Sequence, residues 1–316
     1  YIYEYLLGRK PDKKGFDSYR NYLQNTGISG FSNVLKKVAE SEEYIGNRKI
    51  INFEEAKEFN FKSLRNLELS KLFEKTSFYW RNSGSEPKNI YWSVLSSDNY
   101  QDKKPEPSEI KKFLSTGVYD VDRIKRICKI VDFNFDNCQE FLDYGCGVGR
   151  VVVNLPENIK KVNCVDFSTA HLEETFKNLK YKSNFNNIYS KFLINSYSDL
   201  VKLPNNQDII HSFIVLQHNT PPIIERIIGI LLRRLSFNGL AILHVPIAKN
   251  NYSFNTNEYL SDESSGKNME MHILPKSNLH ILAKENASKI VFSFCDGGCA
   301  GDIYSEIVVF QKQFKK

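Results

Sequence analysis

The sequence lacks any long uninterrupted apolar run and any basic, hydrophobic leader at its beginning. No segment reaches the roughly 18 consecutive apolar residues that a membrane-spanning helix requires. The first residues, Tyr-Ile-Tyr-Glu, include no start methionine, no basic region and no cleavage site, so a secretory signal is not expected. The missing methionine indicates a piece of a longer protein, and the absences together predict a cytoplasmic location.

Cysteine is sparse, with six residues in a chain of 316. In a chain of this length without a secretion signal, reduced thiols are expected rather than a disulfide framework. The spacing of Cys295 and Cys299 is not that of a zinc-binding pair. The sequence therefore predicts no metal site.

A basic stripe interleaved with aromatic residues is also missing. The net charge is +6, but the lysines and arginines are scattered along the chain, so a nucleic-acid partner is not expected. A weak attraction to anionic substrates or to a membrane surface stays open, and with it a peripheral membrane attachment. The content of 41% hydrophobic and 25% charged residues is ordinary for a globular protein.

Hydrophobic periodicity divides the chain into three predicted parts. Residues 1–70 show helical spacing and predict a small all-α domain. Residues 71–120 predict a linker and lid, because the stretch 76–108 is loop-rich and contains both tryptophans, Trp80 and Trp92. Residues 121–316 alternate strands with helices, which predicts an α/β domain built on a doubly wound, mostly parallel, seven-stranded sheet. The glycine-rich DGGCAGD before the last strand predicts a C-terminal antiparallel hairpin.

The strongest motif is FLDYGCGVGR, an apolar strand that enters a glycine-rich turn and then a predicted helix. Glycines let a ligand approach the backbone, and the helix start offers free N–H groups. The pattern alone also suits a dinucleotide. A carboxylate at Asp143 would repel a pyrophosphate and suit an ammonium group instead. The candidate cofactor-binding residues here are Asp143, Gly145, Cys146, Gly147, Gly149 and Arg150.

A second acid, Asp166, ends the next predicted strand and is followed by Phe167 and Ser168. Doubly wound nucleotide-binding folds place an acid at this point to accept the ribose hydroxyls. The alternative is an aspartate that only caps the following helix.

A third signal is DIIHSFIVLQHNTPP, which places Gln217 and His218 at the carboxyl end of the fourth predicted strand. Histidine can take up a proton near neutral pH, which suits the role of a general base. His218 is therefore the candidate catalytic base; otherwise it is a wall residue or a hydrogen-bond partner of the cofactor. His244 and His272 are weaker alternatives, and His211 is predicted to lie in the core.

Together these motifs resemble the class I S-adenosylmethionine-dependent methyltransferase family over about residues 120–316. The resemblance implies a Rossmann-like fold, S-adenosyl-L-methionine as cofactor, and a glycan or small-molecule acceptor. It implies that Asp143 and Gly145 line the methionine end of the cofactor. By the same resemblance, Asp166 holds the ribose and Phe167 borders the adenine.

In INSYSDLVKLP, the resemblance assigns an adenine contact to Asp199, and Gln217 is counted among the cofactor-binding residues. The segment YWSVLSSDNY at 91–100 resembles a lead-in of methyltransferases from bacterial glycan clusters. YLLGRKPDKKGFDSYRNYL, near the beginning, resembles a small helical domain with an LGRxPDxxG signature. That domain recurs in bacterial surface-polysaccharide and phycobilisome-linker-like proteins and implies an interaction or spacer unit.

The preferred hypothesis is O-methylation of a sugar in a bacterial surface polysaccharide, by a chain that belongs to a glycan-assembly complex. Three alternatives stay open. In the first, the enzyme is a methyltransferase whose acceptor is a small molecule or a lipid. In the other two, the protein is an NAD-dependent oxidoreductase or an inactive binding module that keeps the fold.

Overall fold

A computed structural model describes residues 13–26, 34, 37, 58–83, 90–91, 105–180, 188–295 and 303–313. The chain divides into two compact units, Tyr1–Glu54 and Glu55–Lys316. In the first unit, helix α1 (Lys13–Thr26) forms where Tyr19, Tyr22 and Leu23 recur at helical spacing, and these side chains are partly buried. The remainder of the predicted N-terminal domain up to residue 57, apart from residues 34 and 37, lies outside the described residues.

The second unit is built on a seven-stranded sheet in the order β3-β2-β1-β4-β5-β7-β6. Strands β1 to β5 pair in parallel, and β7 runs antiparallel to both β5 and β6. The predicted doubly wound sheet with its C-terminal hairpin is therefore confirmed. The strands are β1 (Glu140–Tyr144), β2 (Lys161–Asp166), β3 (Ile188–Leu193), β4 (Gln207–Ser212), β5 (Leu235–Lys249), β6 (Ser288–Cys295) and β7 (Ile303–Lys312).

Helices cover both faces of this sheet. They are α2 (Asn66–Ser83), α3 (Pro107–Ser115), α4 (Gly117–Ile130), α5 (Thr169–Lys180), α6 (Pro221–Arg234), α7 (Thr256–Ser261) and α8 (Lys276–Glu285). Because side chains of a strand alternate between faces, Phe141 of β1 packs in one apolar core and Leu142 in the other. No helix within the described ranges is long and apolar enough to cross a membrane.

Two local predictions differ from the structure. The segment after the glycine turn was expected to begin a helix at residues 151–155, but only a short 3₁₀ turn forms, Val152–Asn154. Pro156 follows directly and cannot continue a helix. Residues 76–108 were expected to be loop-rich, whereas α2 extends to Ser83. The predicted domain boundary at residue 70 also falls inside α2.

Candidate active site

A cavity opens at the carboxyl ends of β1, β2 and β4, the edge at which doubly wound sheets bind ligands. It is lined by residues 143–148, by residues 165–167 at the end of β2, and by residues 213–215 and 218–219 after β4. Trp80 of α2 and Met269 from the segment between α7 and α8 complete the side near His218. The three sequence motifs therefore converge on one site.

The glycine turn is fixed to the neighbouring strand. The amides of Gly145 and Cys146 donate to the carbonyl oxygen of Val165 at 2.8 and 3.0 Å. Gly145 has a φ of +76°, and a Cβ there would lie 2.4 Å from Val215 Cγ2. The turn therefore needs glycine both for its backbone conformation and for its close approach to the segment after β4.

Gly145→Ala is expected to lower the free energy of unfolding by about 2–4 kcal/mol, through left-handed backbone strain and the clash with Val215. Unfolding in denaturant should be measured for this variant, for Val215→Ala and for the double variant. The double variant should recover part of the loss, because shortening Val215 removes the clash and leaves the backbone strain. A double variant as unstable as the sum of both single losses would exclude the clash as a cause.

Asp143 does not stand alone at the end of β1. His211 lies opposite it on β4, and its Nδ1 is 2.8 Å from Asp143 Oδ1. Both side chains are buried and both line the cavity. His211, predicted to be a core residue, therefore orients the carboxylate of Asp143 through Oδ1.

Asp166 holds the start of the following helix, which is the alternative that the sequence left open beside ribose binding. Its Oδ1 accepts from the Ser168 amide and its Oδ2 from the Gly147 amide, both at 2.9 Å, so it ties the start of α5 to the glycine turn. Its carboxylate also lines the cavity. Burial acts to raise the pKa of Asp166. The neighbouring His171 and the two amide donors outweigh burial, so the pKa of Asp166 lies below its usual range and the carboxylate is charged.

His218 lies in a short turn after β4, and its contacts determine which ring nitrogen carries the proton. Its Nδ1 is 3.0 Å from the carbonyl oxygen of Glu270, and a carbonyl can only accept, so Nδ1 carries the proton. Nε2 therefore holds the lone pair. Burial lowers the pKa of His218 to about 4, against the effect of the Glu270 hydrogen bond, so the ring is neutral at physiological pH. The Trp80 ring lies against it, with the centroids 4.7 Å apart.

A cluster of polar groups holds Glu270 in place behind His218. Glu270 Oε2 accepts from Tyr259 at 2.7 Å and lies 3.0 Å from His272 Nε2, and Oε1 accepts from the Gly266 amide at 2.7 Å. His272 Nδ1 is in turn 2.7 Å from the Tyr252 hydroxyl. His272, weighed as an alternative base, thus has both ring nitrogens engaged within this cluster.

The segment that carries Glu270 is also joined to α2. Lys75 donates through Nζ to the carbonyl oxygens of Tyr259 at 2.8 Å, of Leu260 at 3.2 Å and of Asp262. These carbonyls lie at the end of α7, where a helix leaves acceptors unpaired and favours a cation. The ammonium group of Lys75 therefore joins α2, which carries Trp80, to the segment that carries Glu270.

Nitrogen-15 NMR is expected to show His218 as a neutral ring protonated at Nδ1 from pH 8 down to about pH 5, because its pKa is about 4. Glu270→Ala removes the three side-chain hydrogen bonds that hold residue 270, and with it the backbone carbonyl that faces His218 Nδ1, in place. Both neutral tautomers of His218 are then expected to appear, while the signals of the exposed His280 stay unchanged. An Nε2-protonated ring in the unaltered protein would contradict the geometry.

The structure places four of the predicted cofactor residues outside the cavity lining: Gly149, Ser168, Asp199 and Gln217. Asp199 caps a 3₁₀ turn, accepting from the Ser196 amide at 2.9 Å and from Lys202 at 2.7 Å. Gln217 is buried, and its backbone carbonyl accepts from the His272 amide at 2.7 Å. Their assignment to the cofactor stays a prediction that this geometry does not support.

The other residues predicted for the site also differ in whether they line the cavity. Gly145, Cys146, Gly147, Arg150 and Phe167 line the cavity together with the two strand-end acids. His244 does not line it, and its Nε2 is 3.0 Å from Ser305 Oγ on β7. Sequence reasoning did not assign His171, His211, Asn219 and Met269 to the site, and it placed Trp80 only in the predicted lid. Within the described part of the chain, no group of His, Cys, Asp and Glu side chains is arranged to hold a metal ion.

Comparison with known proteins agrees with this geometry. Residues 141–239 match a family model described as a methyltransferase domain. No curated protein sequence matches the chain. The chain resembles solved structures of magnesium protoporphyrin IX methyltransferase from Synechocystis PCC 6803. The form with bound SAH has 15% identity and a TM-score of 0.52, over 75% of this chain and all of that one.

Two further structures have similar overlap. The SAM-bound form of the same Synechocystis enzyme has 15% identity and a TM-score of 0.51, over 75% of this chain and 97% of that chain. A SAM-dependent methyltransferase from Leishmania major has 17% identity and a TM-score of 0.49, over 76% and 83% of the two chains. At these identities the likeness to solved structures shows the fold alone.

The family match begins in β1 and ends in β5, so it contains the glycine turn, Asp166 and His218. Together with the sheet order, it supports S-adenosylmethionine as the cofactor. Residues 141–239 therefore match a methyltransferase domain, and the sheet that contains them has the Rossmann-like methyltransferase fold.

Proposed function

We propose that the chain methylates a hydroxyl oxygen, with His218 as the general base. The observation that carries this proposal is the state of His218. The ring lines the cavity beside the strand ends that bear Asp143 and Asp166, is neutral, and has its lone pair on Nε2. A base must be deprotonated and near the reacting oxygen, and His218 satisfies the first condition over a wide pH range.

The residues at the strand ends fit S-adenosylmethionine. Oδ2 of Asp143 can accept from the ammonium group of the methionine part, and Asp166 can accept from the ribose hydroxyls. Phe167 is proposed to border the adenine. Gly145 brings the turn close to Val215 and also lines the cavity, so the cofactor can lie against the backbone of the turn.

The cofactor supplies a methyl group on a positively charged sulfur. His218 Nε2 would take the hydroxyl proton as the acceptor oxygen bonds to this methyl carbon in place of the sulfur. The imidazole would then carry the positive charge that the sulfur gives up. A base of low pKa is sufficient, because a methylated oxygen that still carries its proton is a very strong acid.

For the acceptor we propose a sugar of a bacterial surface polysaccharide. The support comes from the two sequence resemblances, the LGRxPDxxG-type domain at about residues 1–48 and the lead-in at 91–100. In this proposal the N-terminal domain is an interaction unit that attaches the chain to a cytoplasmic glycan-assembly complex.

Calorimetric titration with S-adenosylmethionine, S-adenosylhomocysteine and NAD tests the cofactor. We expect one equivalent of either sulfur compound to bind and NAD not to bind, because the carboxylate of Asp143 would face the pyrophosphate. Preferential binding of NAD would reject the proposal in favour of an oxidoreductase. Absence of binding for all three compounds would favour an inactive module.

A further inference from the structure

Beside His218 lies a buried hydrogen-bond acceptor, the side-chain oxygen of Asn219, that has no partner among the described residues. Asn219 is 1% exposed and lines the cavity. Its Nδ2 donates to the carbonyl oxygens of Val215 and Leu216 at 3.2 and 3.4 Å. Because both partners can only accept, the orientation of the amide is fixed. Its Oδ1 is buried and finds no partner in the described part of the chain.

A buried acceptor without a partner is costly, and such an atom at a cavity indicates a donor supplied from outside the protein. The two consecutive residues thus offer two acceptors, Nε2 of His218 and Oδ1 of Asn219. A ligand that satisfies both must bring two hydrogen-bond donors close together.

The surroundings of these two acceptors are apolar. Trp80 packs on the His218 ring, and Met269 precedes the residue that holds that ring. Ile214 lines the same cavity with a φ of +57°, a conformation that is strained for a β-branched residue and typical of functional sites. A ligand here therefore contacts aromatic and aliphatic side chains on one of its faces.

Formal charge among the described lining residues is confined to other parts of the cavity. Asp143 and Asp166 lie at the strand ends, and Arg150 follows the glycine turn, where it forms an ion pair with Asp120. Trp80, Asn219 and Met269 carry no charge, and the desolvation that lowers the pKa of His218 also disfavours an ionic ligand. Among the described residues that line the cavity, an anionic acceptor would find no counter-charge beside Trp80.

We infer that Trp80, His218, Asn219 and Met269 form the acceptor subsite, and that it takes an uncharged ring with two neighbouring hydroxyl groups and an apolar face. The inference rests on the proposed function. The first hydroxyl donates to His218 and is the one methylated, and the second donates to Asn219 and keeps its proton. Trp80 and Met269 contact the apolar face. A neutral pyranose has this chemistry, whereas a sugar phosphate, a carboxylate and a simple monohydric alcohol do not.

Saturation-transfer NMR on the protein with bound S-adenosylhomocysteine tests the subsite. The probes are the set of uncharged methyl hexopyranosides, a hexose 6-phosphate and cyclohexanol. We expect at least one methyl hexopyranoside to bind, and the other two probes to bind about tenfold more weakly or not at all. Asn219→Leu and Trp80→Leu should each weaken binding of that methyl hexopyranoside by about tenfold, the effect of losing one hydrogen bond or one ring contact.

Thr220→Val is the matched control. Thr220 Oγ1 is likewise buried without a partner in the described residues, but the residue does not line the cavity, so its replacement should leave probe binding unchanged. Retained binding of S-adenosylhomocysteine shows that each variant is folded.

The inference is overturned if the phosphate binds as well as the methyl hexopyranoside, or if Asn219→Leu behaves like Thr220→Val. A protein that binds S-adenosylhomocysteine but no uncharged probe contradicts the inference alone. A protein that binds no S-adenosylhomocysteine contradicts the proposed function, and with it the inference.

Discussion

Replacing His218 by alanine is expected to lower the turnover number by about 10²–10⁴-fold, the usual effect of removing a general base. The dissociation constant of S-adenosylhomocysteine should stay nearly unchanged, because the groups proposed to hold it come from β1, β2 and the glycine turn. Two quantities should be measured: the rate at which S-adenosylhomocysteine forms in a single turnover with an acceptor that the unaltered protein methylates, and the affinity for the cofactor. His280→Ala, on the exposed face of α8, is the control. Turnover near that of the unaltered protein would remove His218 as the base.

The pH dependence of turnover gives an independent check on the same residue. A histidine acts as a base in its neutral form, so activity falls when the pH falls through its pKa. Because burial lowers the pKa of His218 to about 4, turnover should be flat from pH 8 to about pH 5. A decline centred near pH 6.5, the ordinary pKa of histidine, would show that the ring is solvated in the working enzyme.

Replacing Asp166 by asparagine is expected to weaken binding of S-adenosylmethionine by about 1–3 kcal/mol, which is about 5- to 150-fold in Kd. The charged carboxylate would lose its hydrogen bonds from the ribose, and part of the effect would come through the Gly147 and Ser168 amides that it also holds. Calorimetry on the variant measures the loss, and unfolding in denaturant shows how much of it is structural.

Asp199→Asn is the matched control for this variant. Both aspartates were predicted to contact the cofactor, but Asp199 is engaged as a cap and does not line the cavity. The geometry therefore predicts unchanged cofactor affinity for Asp199→Asn. Equal losses in the two variants would place the adenine against Asp199, and an unchanged affinity in Asp166→Asn would remove Asp166 as the ribose ligand.

The sequence predicted β1 before the glycine turn and the end of β2 at Asp166, because segments of five or six residues bounded by turn residues are too short for a helix. α2 was harder to predict. Its buried positions include Leu69, Leu72 and Phe73 at helical spacing, but the next ones are Thr76 and Ser77, so the apolar stripe ends before the helix does. Trp80, which packs on His218, lies in that last part of the helix.

A contact within the site could be predicted where both contacting residues belong to one sequence motif. It could not be predicted where the contact depends on how two strands are aligned. The Asp143–His211 contact depends on the register between β1 and β4, which a linear sequence does not state. Asp199 is different, because Ser196 and Asp199 stand at the spacing of a capping box. That signal was present in the sequence and favoured a structural role over a cofactor contact.

The bond from Lys75 to the end of α7 has a consequence for redesign. An engineer who transplanted α2 from another enzyme to alter acceptor choice would remove this ammonium and leave the carbonyl oxygens of Tyr259, Leu260 and Asp262 without their donor. Conversely, a grafted 256–270 segment would arrive without its anchoring lysine. α2 and the segment 256–270 should therefore be exchanged together, and a chimaera should take both from the same parent.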